Sequence, residues 1–334
     1  MNYIGSKYKL SDFISTAIKS VVGHSLSNKI FCDIFAGTGI IGRNFKSIVK
    51  RVIANDFEYY SYVLNKNYIG NHLEIEGKNE YIKELNNLPL IENGFIYANY
   101  CFGGSGVRLY FSDENGKKID AIRSEIEKWK LIGKINESIY WFLLASLLES
   151  ADKAANTASV YGAYLKRLKK TAQKELMLKP ALYEINSYEH QVFNMDSNKL
   201  IKEIEGDILY LDPPYNERQY GANYHLLNTI AKYDDFIPKG KTGLRDYQRS
   251  QYCEKKNVGK AFEVLIKNAK FKYIFLSYNN EGLMPLDYIR KVMQKYGKYD
   301  FVQIDYQRFR ADKIESRNHK ADTTKEYLHY LEKS

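Results

Sequence analysis

The run Asp33-Ile34-Phe35-Ala36-Gly37-Thr38-Gly39 carries the strongest fold signal in this chain. The apolar segment over 29–35 predicts a buried strand, and residues 40–45 begin a helix. Gly37 and Gly39 have no side chain, so the backbone at these positions can approach a ligand closely. A strand, a glycine turn and a helix in this order are typical of nucleotide binding. A tight turn without a ligand, in any α/β sheet, would have a similar sequence pattern.

A second strand is predicted over 51–55, and it ends at Asp56, which lies 17 residues after Gly39. A carboxylate at this place can bind the hydroxyl groups of a ribose. The same spacing fits NAD, so these two segments by themselves leave a dehydrogenase open.

Another buried strand, over 207–211, runs directly into Asp212-Pro213-Pro214-Tyr215-Asn216. Two prolines cannot continue a strand ladder, so the chain leaves the sheet abruptly. The Asp212 carboxylate and a proline carbonyl are two acceptors for the two hydrogens of an exocyclic amine. The Tyr215 ring offers a stacking face for a planar base. This segment therefore predicts a site that holds an amino group on a nucleobase, with a solvated Asp after a proline turn as the simpler alternative.

Asp212-Pro213-Pro214-Tyr215 resembles the catalytic motif of the adenine-N6 DNA methyltransferases, which use S-adenosylmethionine. The longer run through Arg218, Gln219 and Tyr220 to His225 resembles the Dam-related group of restriction–modification enzymes. The segment Asp33–Gly39 is similar to the methyltransferase form of the glycine turn rather than to the G-x-G-x-x-G form.

This resemblance implies an α/β fold with a Rossmann-like, seven-stranded S-adenosylmethionine-dependent methyltransferase sheet and a largely helical inserted subdomain. We expect residues 1–70 and 186–334 to form the catalytic domain. Residues 71–185 are expected to form the mostly helical insert that recognises DNA. Inside it, the pattern predicts a small hairpin near 107–116, two apolar helices, and a third, basic helix over 166–174.

The resemblance also implies a set of site residues. Asp212, Pro213, Pro214 and Tyr215 are the expected catalytic residues. Asp196, at the end of a strand over 188–194, is expected to accept the amine of the cofactor's adenine, although it also suits a helix N-cap. The expected cofactor-binding residues are Tyr3, Gly5, Lys7, Asp33, Phe35, Ala36, Gly37, Thr38, Gly39, Asp56, Phe57, Asp196 and Asp212.

Basic residues favour a polyanionic partner. The chain of 334 residues carries a net charge of +10, and seven cations lie between Lys239 and Lys260, where Tyr247 and Tyr252 are interleaved with them. That composition predicts a loop closing over the DNA backbone, or a merely solvated loop. The expected DNA-binding residues are Arg218, Tyr220, Lys239, Lys241, Arg245, Arg249, Arg308 and Arg310.

Other functions are poorly supported by the composition. Cys32, Cys101 and Cys253 are too widely separated for a disulfide framework or a metal site. No apolar run is long enough to span a membrane, and residues 1–7 lack the apolar core of a signal peptide, so we expect a cytoplasmic protein.

We therefore predict a site-specific DNA adenine-N6 methyltransferase that acts on a flipped-out adenine in double-stranded DNA. It is expected to serve a restriction–modification system, with a cognate restriction endonuclease or a second methyltransferase as a partner. Two alternatives stay open: a cytosine-N4 DNA or RNA amine methyltransferase, and a catalytically silent DNA-binding subunit.

Overall fold

The computed structural model describes residues 7–307 and 323–334. This part of the chain divides into two units. The first comprises Glu58–Ser187 and Tyr220–Gln248, and the second comprises the remaining described residues, including Tyr188–Gln219. The first unit therefore includes residues 58–70 and 220–248 in addition to the predicted insert, because their helices pack with those of the insert.

The strands of the described residues form one sheet, which belongs to the second unit. Its order is β3-β2-β1-β4-β5-β7-β6, and β7 runs antiparallel to its neighbours β5 and β6 while β1 to β5 are parallel. This arrangement confirms the predicted seven-stranded α/β class. The strands are β1 (Ile30–Asp33), β2 (Arg51–Asn55), β3 (Gln191–Phe193), β4 (Glu205–Leu211), β5 (Lys270–Asn279), β6 (Gly297–Gln307) and β7 (Thr323–Lys333).

The described helices alternate with these strands or cluster in the first unit. Short 3-10 helices cover Tyr8–Leu10 and Gln251–Cys253, and a π-helical turn covers Lys66–Gly70. The α-helices are α1 (Ser11–Val22), α2 (Ile40–Lys46), α3 (Tyr59–Asn65), α4 (Lys78–Asn86), α5 (Phe95–Tyr100), α6 (Asp113–Leu131), α7 (Glu137–Ala154), α8 (Ser197–Leu200), α9 (Tyr220–Asn223), α10 (His225–Lys232), α11 (Val258–Asn268) and α12 (Leu286–Gln294).

Helices pack on both faces of the sheet, as expected for parallel strands with two apolar faces. On one face, α8, α11 and α12 enclose a core with Leu209, Leu211 and Leu276. On the other face, α2 packs against β1, and the Phe45 ring stacks on Phe31 with 4.1 Å between their centroids. The sheet is thereby fixed from both sides, which makes its carboxyl edge a rigid platform.

The first unit is helical and has its own core. Helix α7 is buried on nearly all sides, and it packs with α6, α3 and α10 around aromatic side chains such as Trp129 and Phe142. The two apolar stripes that predicted helices are therefore confirmed as α6 and α7.

Two local predictions in this unit are wrong. Residues 113–116 do not turn a hairpin but form the first turn of α6, because the Ser112 hydroxyl accepts a hydrogen bond from the Asn115 backbone N–H at 3.2 Å. Acidic residues suit a helix start as well as a turn, so this short pattern is ambiguous. The predicted basic helix over 166–174 consists of turns and irregular chain.

No helix among the described residues is long and apolar enough to cross a membrane.

Asn55 ties together three chain segments at the carboxyl edge of the sheet. Its side chain is 1% exposed. The amide Nδ2 donates to the Ile34 carbonyl at 3.0 Å and to the Met195 carbonyl at 3.1 Å, while Oδ1 accepts from the Met195 N–H at 3.0 Å. These bonds hold the chain after β1 and after β3 against the end of β2.

We expect Asn55→Asp to reduce the free energy of unfolding by at least about 2 kcal/mol. The substitution keeps the shape but removes the amide donor, so the carbonyls of Ile34 and Met195 lose their donor beside a buried carboxylate. Urea unfolding measures the change, and Asn79→Asp, at an exposed position in α4, should stay within about 0.5 kcal/mol of the parent. Equal unfolding midpoints for Asn55→Asp and the parent would contradict the role of Asn55.

Candidate active site

The site lies where the strand order reverses. Strands β1 and β4 are parallel neighbours, but the chain continues from β1 to β2 on one side and from β4 to β5 on the other. A crevice at the carboxyl ends of two such strands is the usual ligand site in an open α/β sheet. Asp33 ends β1, Asp56 follows β2, and Asp212 follows β4. Three carboxylates distant in sequence therefore lie at one edge.

The turn after β1 is held in a ligand-accessible shape by glycine. Gly37 and Gly39 have φ angles of 52° and 78°, in the left-handed region where a Cβ is disfavoured. The Asp56 Oδ2 atom accepts a hydrogen bond from the Gly37 N–H at 2.7 Å. Asp56 therefore has a structural task, since it joins the end of β2 to the glycine turn.

Asp33 is almost fully buried beneath this turn, at 1% exposure. Burial raises the pKa of its carboxyl group well above the usual range, and the nearby charges of Asp212 and Asp56 raise it further. Its Oδ1 atom has no hydrogen-bond partner among the described residues. A buried acceptor in this position, beside a glycine turn, fits a ligand that brings a donor.

The Asp-Pro-Pro-Tyr segment leaves β4 at the same edge, and Asp212 there forms an ion pair with Lys7. The distance from Lys7 Nζ to Asp212 Oδ1 is 3.1 Å, and the two side chains are 6% and 17% exposed. Burial raises the pKa of the Asp212 carboxyl group, while the Lys7 charge and hydrogen bond act in the opposite direction. Lys7 is thus the counter-ion of the predicted catalytic carboxylate.

The Lys7 ammonium is stabilised by more than one anion. Burial alone would lower its pKa, but the charges of Asp212 and Glu326 and the hydroxyl of Tyr215 raise it above its usual value. Lys7 therefore stays protonated in the site at any physiological pH. Its Nζ atom also lies 5.8 Å from the centroid of the Tyr215 ring.

Two aromatic rings line this region. Tyr215 is half-buried, and its carbonyl accepts a hydrogen bond from the Leu283 N–H at 3.1 Å, which anchors the residue after the prolines. Phe35 is also half-buried and packs edge-on against Tyr252, with 4.8 Å between centroids. Tyr252 was expected in a DNA-closing loop, but its ring is 3% exposed and its hydroxyl donates to Asn198 Oδ1 at 2.7 Å.

The chain after β3 contributes Asn194 and Asp196. Asp196 caps α8, because its Oδ1 accepts from the N–H groups of Asn198 at 2.9 Å and Lys199 at 3.1 Å. The Asn194 Nδ2 atom donates to the carbonyls of Asp56 at 2.8 Å and Phe57 at 3.1 Å. Asn194 and Asn55 were missed in the sequence, since an isolated Asn after an apolar run also suits an ordinary turn.

The remaining expected site residues are placed as follows. Ala36 and Pro213 are buried, and Thr38, Phe57 and Pro214 are half-buried near the same strand ends. Tyr3, Gly5, Arg308 and Arg310 lie outside the described residues. Among the residues that are described, no group of His, Cys, Asp or Glu side chains could hold a metal ion.

The predicted DNA-binding cations differ sharply in exposure. Arg218 and Arg249, in the second unit, are exposed. In the first unit, Lys241 is exposed and Lys239 is exposed but paired with Asp246.

Arg245 has a different environment from the one expected. It is 7% exposed, and its two Nη atoms donate to the two Asp234 oxygens at 2.9 and 2.8 Å. Its guanidinium also lies 4.9 Å from the centroid of the Phe236 ring. This environment argues against the expected DNA contact, because the guanidinium is occupied within the protein.

The remaining residue expected to bind DNA, Tyr220, stacks on Tyr224, with 6.1 Å between ring centroids.

Comparison with known proteins gives concordant matches. A family model described as D12 class N6 adenine-specific DNA methyltransferase matches residues 3–292. The chain is 65% identical to Type II methyltransferase M.NlaIII of Neisseria lactamica, over 334 residues that cover 100% of both chains. It is 37% identical to Type II methyltransferase M.CviAII of Paramecium bursaria Chlorella virus 1, over 93% of each chain. It is 39% identical to Type II methyltransferase M.FokI of Planomicrobium okeanokoites, over 100% of this chain and 53% of that protein.

The family model spans most of the chain and includes the glycine turn, Asp56 and the Asp-Pro-Pro-Tyr segment. The chain therefore belongs to the D12 class N6 adenine-specific DNA methyltransferase family.

Proposed function

We propose that this protein is the modification enzyme of a Type II restriction–modification system. In this proposal it transfers a methyl group from S-adenosylmethionine to N6 of a flipped-out adenine at a specific site in double-stranded DNA. The observation that carries the proposal is the meeting of the glycine turn, Asp56 and the Lys7–Asp212 pair at one edge of the sheet. Similarity to two Type II methyltransferases, along 100% and 93% of this chain, supports the Type II assignment.

Family membership confirms the predicted enzyme class, an adenine-N6 DNA methyltransferase. It favours that prediction over the cytosine-N4, RNA and silent-subunit alternatives. The role of residues 71–185 in DNA recognition stays a prediction, as does a partnership with a cognate endonuclease or a second methyltransferase.

The residues at the glycine turn fit S-adenosylmethionine. Gly37 and Gly39 leave room for a ligand close to the backbone, and Asp56 presents a carboxylate suited to ribose hydroxyls. The buried Asp33 Oδ1 is an acceptor that suits an ammonium or hydroxyl donor. The bound cofactor supplies an electrophilic methyl group on a sulfonium, so these residues need only bind and orient it.

Asp212 and the Pro213 carbonyl hold the target amine. The lone pair of an adenine amine is delocalised into the ring, which makes the nitrogen a poor nucleophile. Two acceptors for its two hydrogens favour a pyramidal nitrogen whose lone pair is available for in-line attack. Burial raises the pKa of Asp212, and the Lys7 charge and hydrogen bond oppose that rise, which favours the ionised carboxylate, the stronger acceptor. Asp212 need not remove a proton before attack, because it is too weak a base for a neutral amine.

A paired adenine cannot reach this edge from within a duplex, so the nucleotide must be flipped out. The half-buried Tyr215 ring lies 5.8 Å from Lys7 Nζ, the partner of Asp212, and it can replace the lost stacking, which is worth ~1–3 kcal/mol per base.

Asp56 should bind the cofactor and also support the glycine turn. We expect Asp56→Ala to weaken S-adenosylmethionine binding and to lower stability, because the variant can neither bind the ribose nor accept the hydrogen bond from the Gly37 N–H. Asp56→Asn keeps an acceptor for Gly37, so stability should recover more than affinity. Calorimetry with S-adenosylmethionine and urea unfolding measure the two effects. Unchanged affinity in both variants would remove Asp56 from the cofactor site.

Substitutions of Asp212 and of Tyr215 should impair different steps, methyl transfer and capture of the flipped base. Asp212→Asn removes the anionic acceptor, so single-turnover methylation should slow by roughly 100-fold or more, while S-adenosylmethionine still binds. Tyr215→Ala should mainly weaken capture of the flipped base, and Tyr215→Phe, which keeps a π-face, should retain much of the activity.

Duplex DNA with a mismatch opposite the target adenine separates these two roles. A mismatch lowers the cost of flipping, so it should partly restore DNA binding by Tyr215→Ala but should not restore turnover by Asp212→Asn. The measurements are labelled-methyl transfer and DNA affinity on matched and mismatched duplexes. An active Asp212→Asn enzyme would refute the mechanism, whatever the family.

Exposed cations of the second unit should set the salt dependence of DNA binding. We expect the double variant Arg218→Gln with Arg249→Gln to reduce the slope of log affinity against log salt by up to about 2, because each arginine that binds a phosphate contributes about 1 to the slope. The matched control replaces Lys202 and Lys270 with Gln, and its slope should not change, because these exposed residues lie near the amino ends of β4 and β5. Equal slopes in the two double variants would mean that Arg218 and Arg249 are merely solvated.

A further inference from the structure

Glu326 is a buried carboxylate that neither the amine-binding pair nor the glycine turn requires. It lies on β7 opposite Asn279, at the carboxyl end of β5. Its side chain is 7% exposed, and Oε2 has no hydrogen-bond partner among the described residues. An orphaned carboxylate oxygen in a buried place is costly unless it faces a cation or a ligand.

Strand register places Glu326 on the same face of the sheet as Asp212. Leu211 pairs with Leu276, and both side chains belong to the core on one face. Because side chains alternate along a strand, Asp212 and Asn279 belong to the opposite face. Glu326 pairs with Asn279, so it shares that face.

Two carboxyl groups at this face, those of Asp212 and Glu326, act on one ammonium, that of Lys7. Burial raises the pKa of Glu326, the Lys7 charge lowers it, and the Asp212 charge raises it again. The other titratable side chains that interact electrostatically with Lys7, Asp212 or Glu326 are Asp33 of β1, Tyr210 of β4 and Tyr215. The charge of Glu326 is among those that raise the pKa of Tyr210. The Lys7 charge thus acts on both Asp212 and Glu326, while its ion pair is with Asp212.

We propose that Glu326 is a positioning residue for methyl transfer, whose buried charge attracts the Lys7 ammonium and so weakens its hold on Asp212. This inference rests on the proposed role of Asp212 as the acceptor for the target amine. Lys7 and the amine compete for the lone pairs of the same carboxylate, and the contact from Lys7 to Asp212 is already made in the structure. The charge of a second carboxylate attracts the same ammonium without a hydrogen bond to it, so Asp212 retains accepting capacity for the substrate amine.

Neutralising Glu326 and removing the Lys7 cation should therefore shift the pKa of Asp212 in opposite directions. In Glu326→Gln a negative charge near Asp212 is removed, so its pKa should fall. In Lys7→Met the cation is removed, so the pKa of Asp212 should rise above its already raised value. The acid limb of the methylation rate reports this group, because only the ionised form is the strong acceptor.

The experiment is single-turnover methylation of an adenine-containing duplex as a function of pH, with saturating S-adenosylmethionine. For Glu326→Gln we expect a rate about tenfold lower at neutral pH, an acid limb displaced to lower pH, and unchanged cofactor affinity by calorimetry. Lys7→Met should displace the acid limb to higher pH. Glu326→Asp keeps the charge and should recover part of the rate.

Glu332→Gln is the matched control, because Glu332 lies on β7 six residues further along, on the same face, and pairs only with Lys272 among the described cations. It should behave like the parent enzyme. A parental pH profile for Glu326→Gln, or acid limbs of Glu326→Gln and Lys7→Met that move the same way, would overturn the inference. If the parent enzyme fails to methylate adenine in duplex DNA, the proposed function itself is wrong, which is a different outcome.

Discussion

Parallel pairing of β1 with β4 determines where the site forms. These strands are separated by more than half of the chain, yet Phe31, Cys32 and Asp33 pair in register with Ile208, Leu209 and Tyr210. At their amino ends, Asp207 accepts hydrogen bonds from the Ile30 N–H and the Lys29 ammonium. With the register fixed at one end, the glycine turn and the Asp-Pro-Pro-Tyr segment must emerge side by side at the other. Strand pairing thereby aligns the glycine turn with the Asp-Pro-Pro-Tyr segment.

This alignment concentrates carboxyl groups in a poorly solvated place. Asp33, Asp212 and Glu326 are largely buried, and burial raises the pKa of each carboxyl group. Lys7 is the cation that the structure brings to this group, and its contact with Asp212 supplies the balancing charge. Such a cluster is a poor device for stability, since desolvation of buried ions is expensive. In the proposed mechanism, its value lies in providing a strong hydrogen-bond acceptor where an amine must be oriented.

The first unit follows different rules from the sheet. Its core is built from helices and many aromatic side chains, and some of its charged groups are paired within the unit. Arg245 illustrates this, because its guanidinium binds Asp234 with both Nη atoms and covers Phe236. A cation in a basic segment is therefore not necessarily available to DNA. Whether a cation is exposed depends on the side chains packed around it, so exposed cations can be identified only from the folded structure.

Features that depend on local patterns could be predicted from the order of residues alone. The glycine turn, the strand ends at Asp56 and Asp212, and the two long helices α6 and α7 follow from residues close together in the chain, where periodicity and backbone restriction act. Other features arise only from strand register and from packing between distant segments. They are the partner of Lys7, the three-way bonding of Asn55, the burial of Arg245 and the location of Glu326. The prediction of a hairpin near 107–116 was wrong for a related reason. Residues 113–116 suit either a turn or a helix start, and the packing of α6 selects the helix.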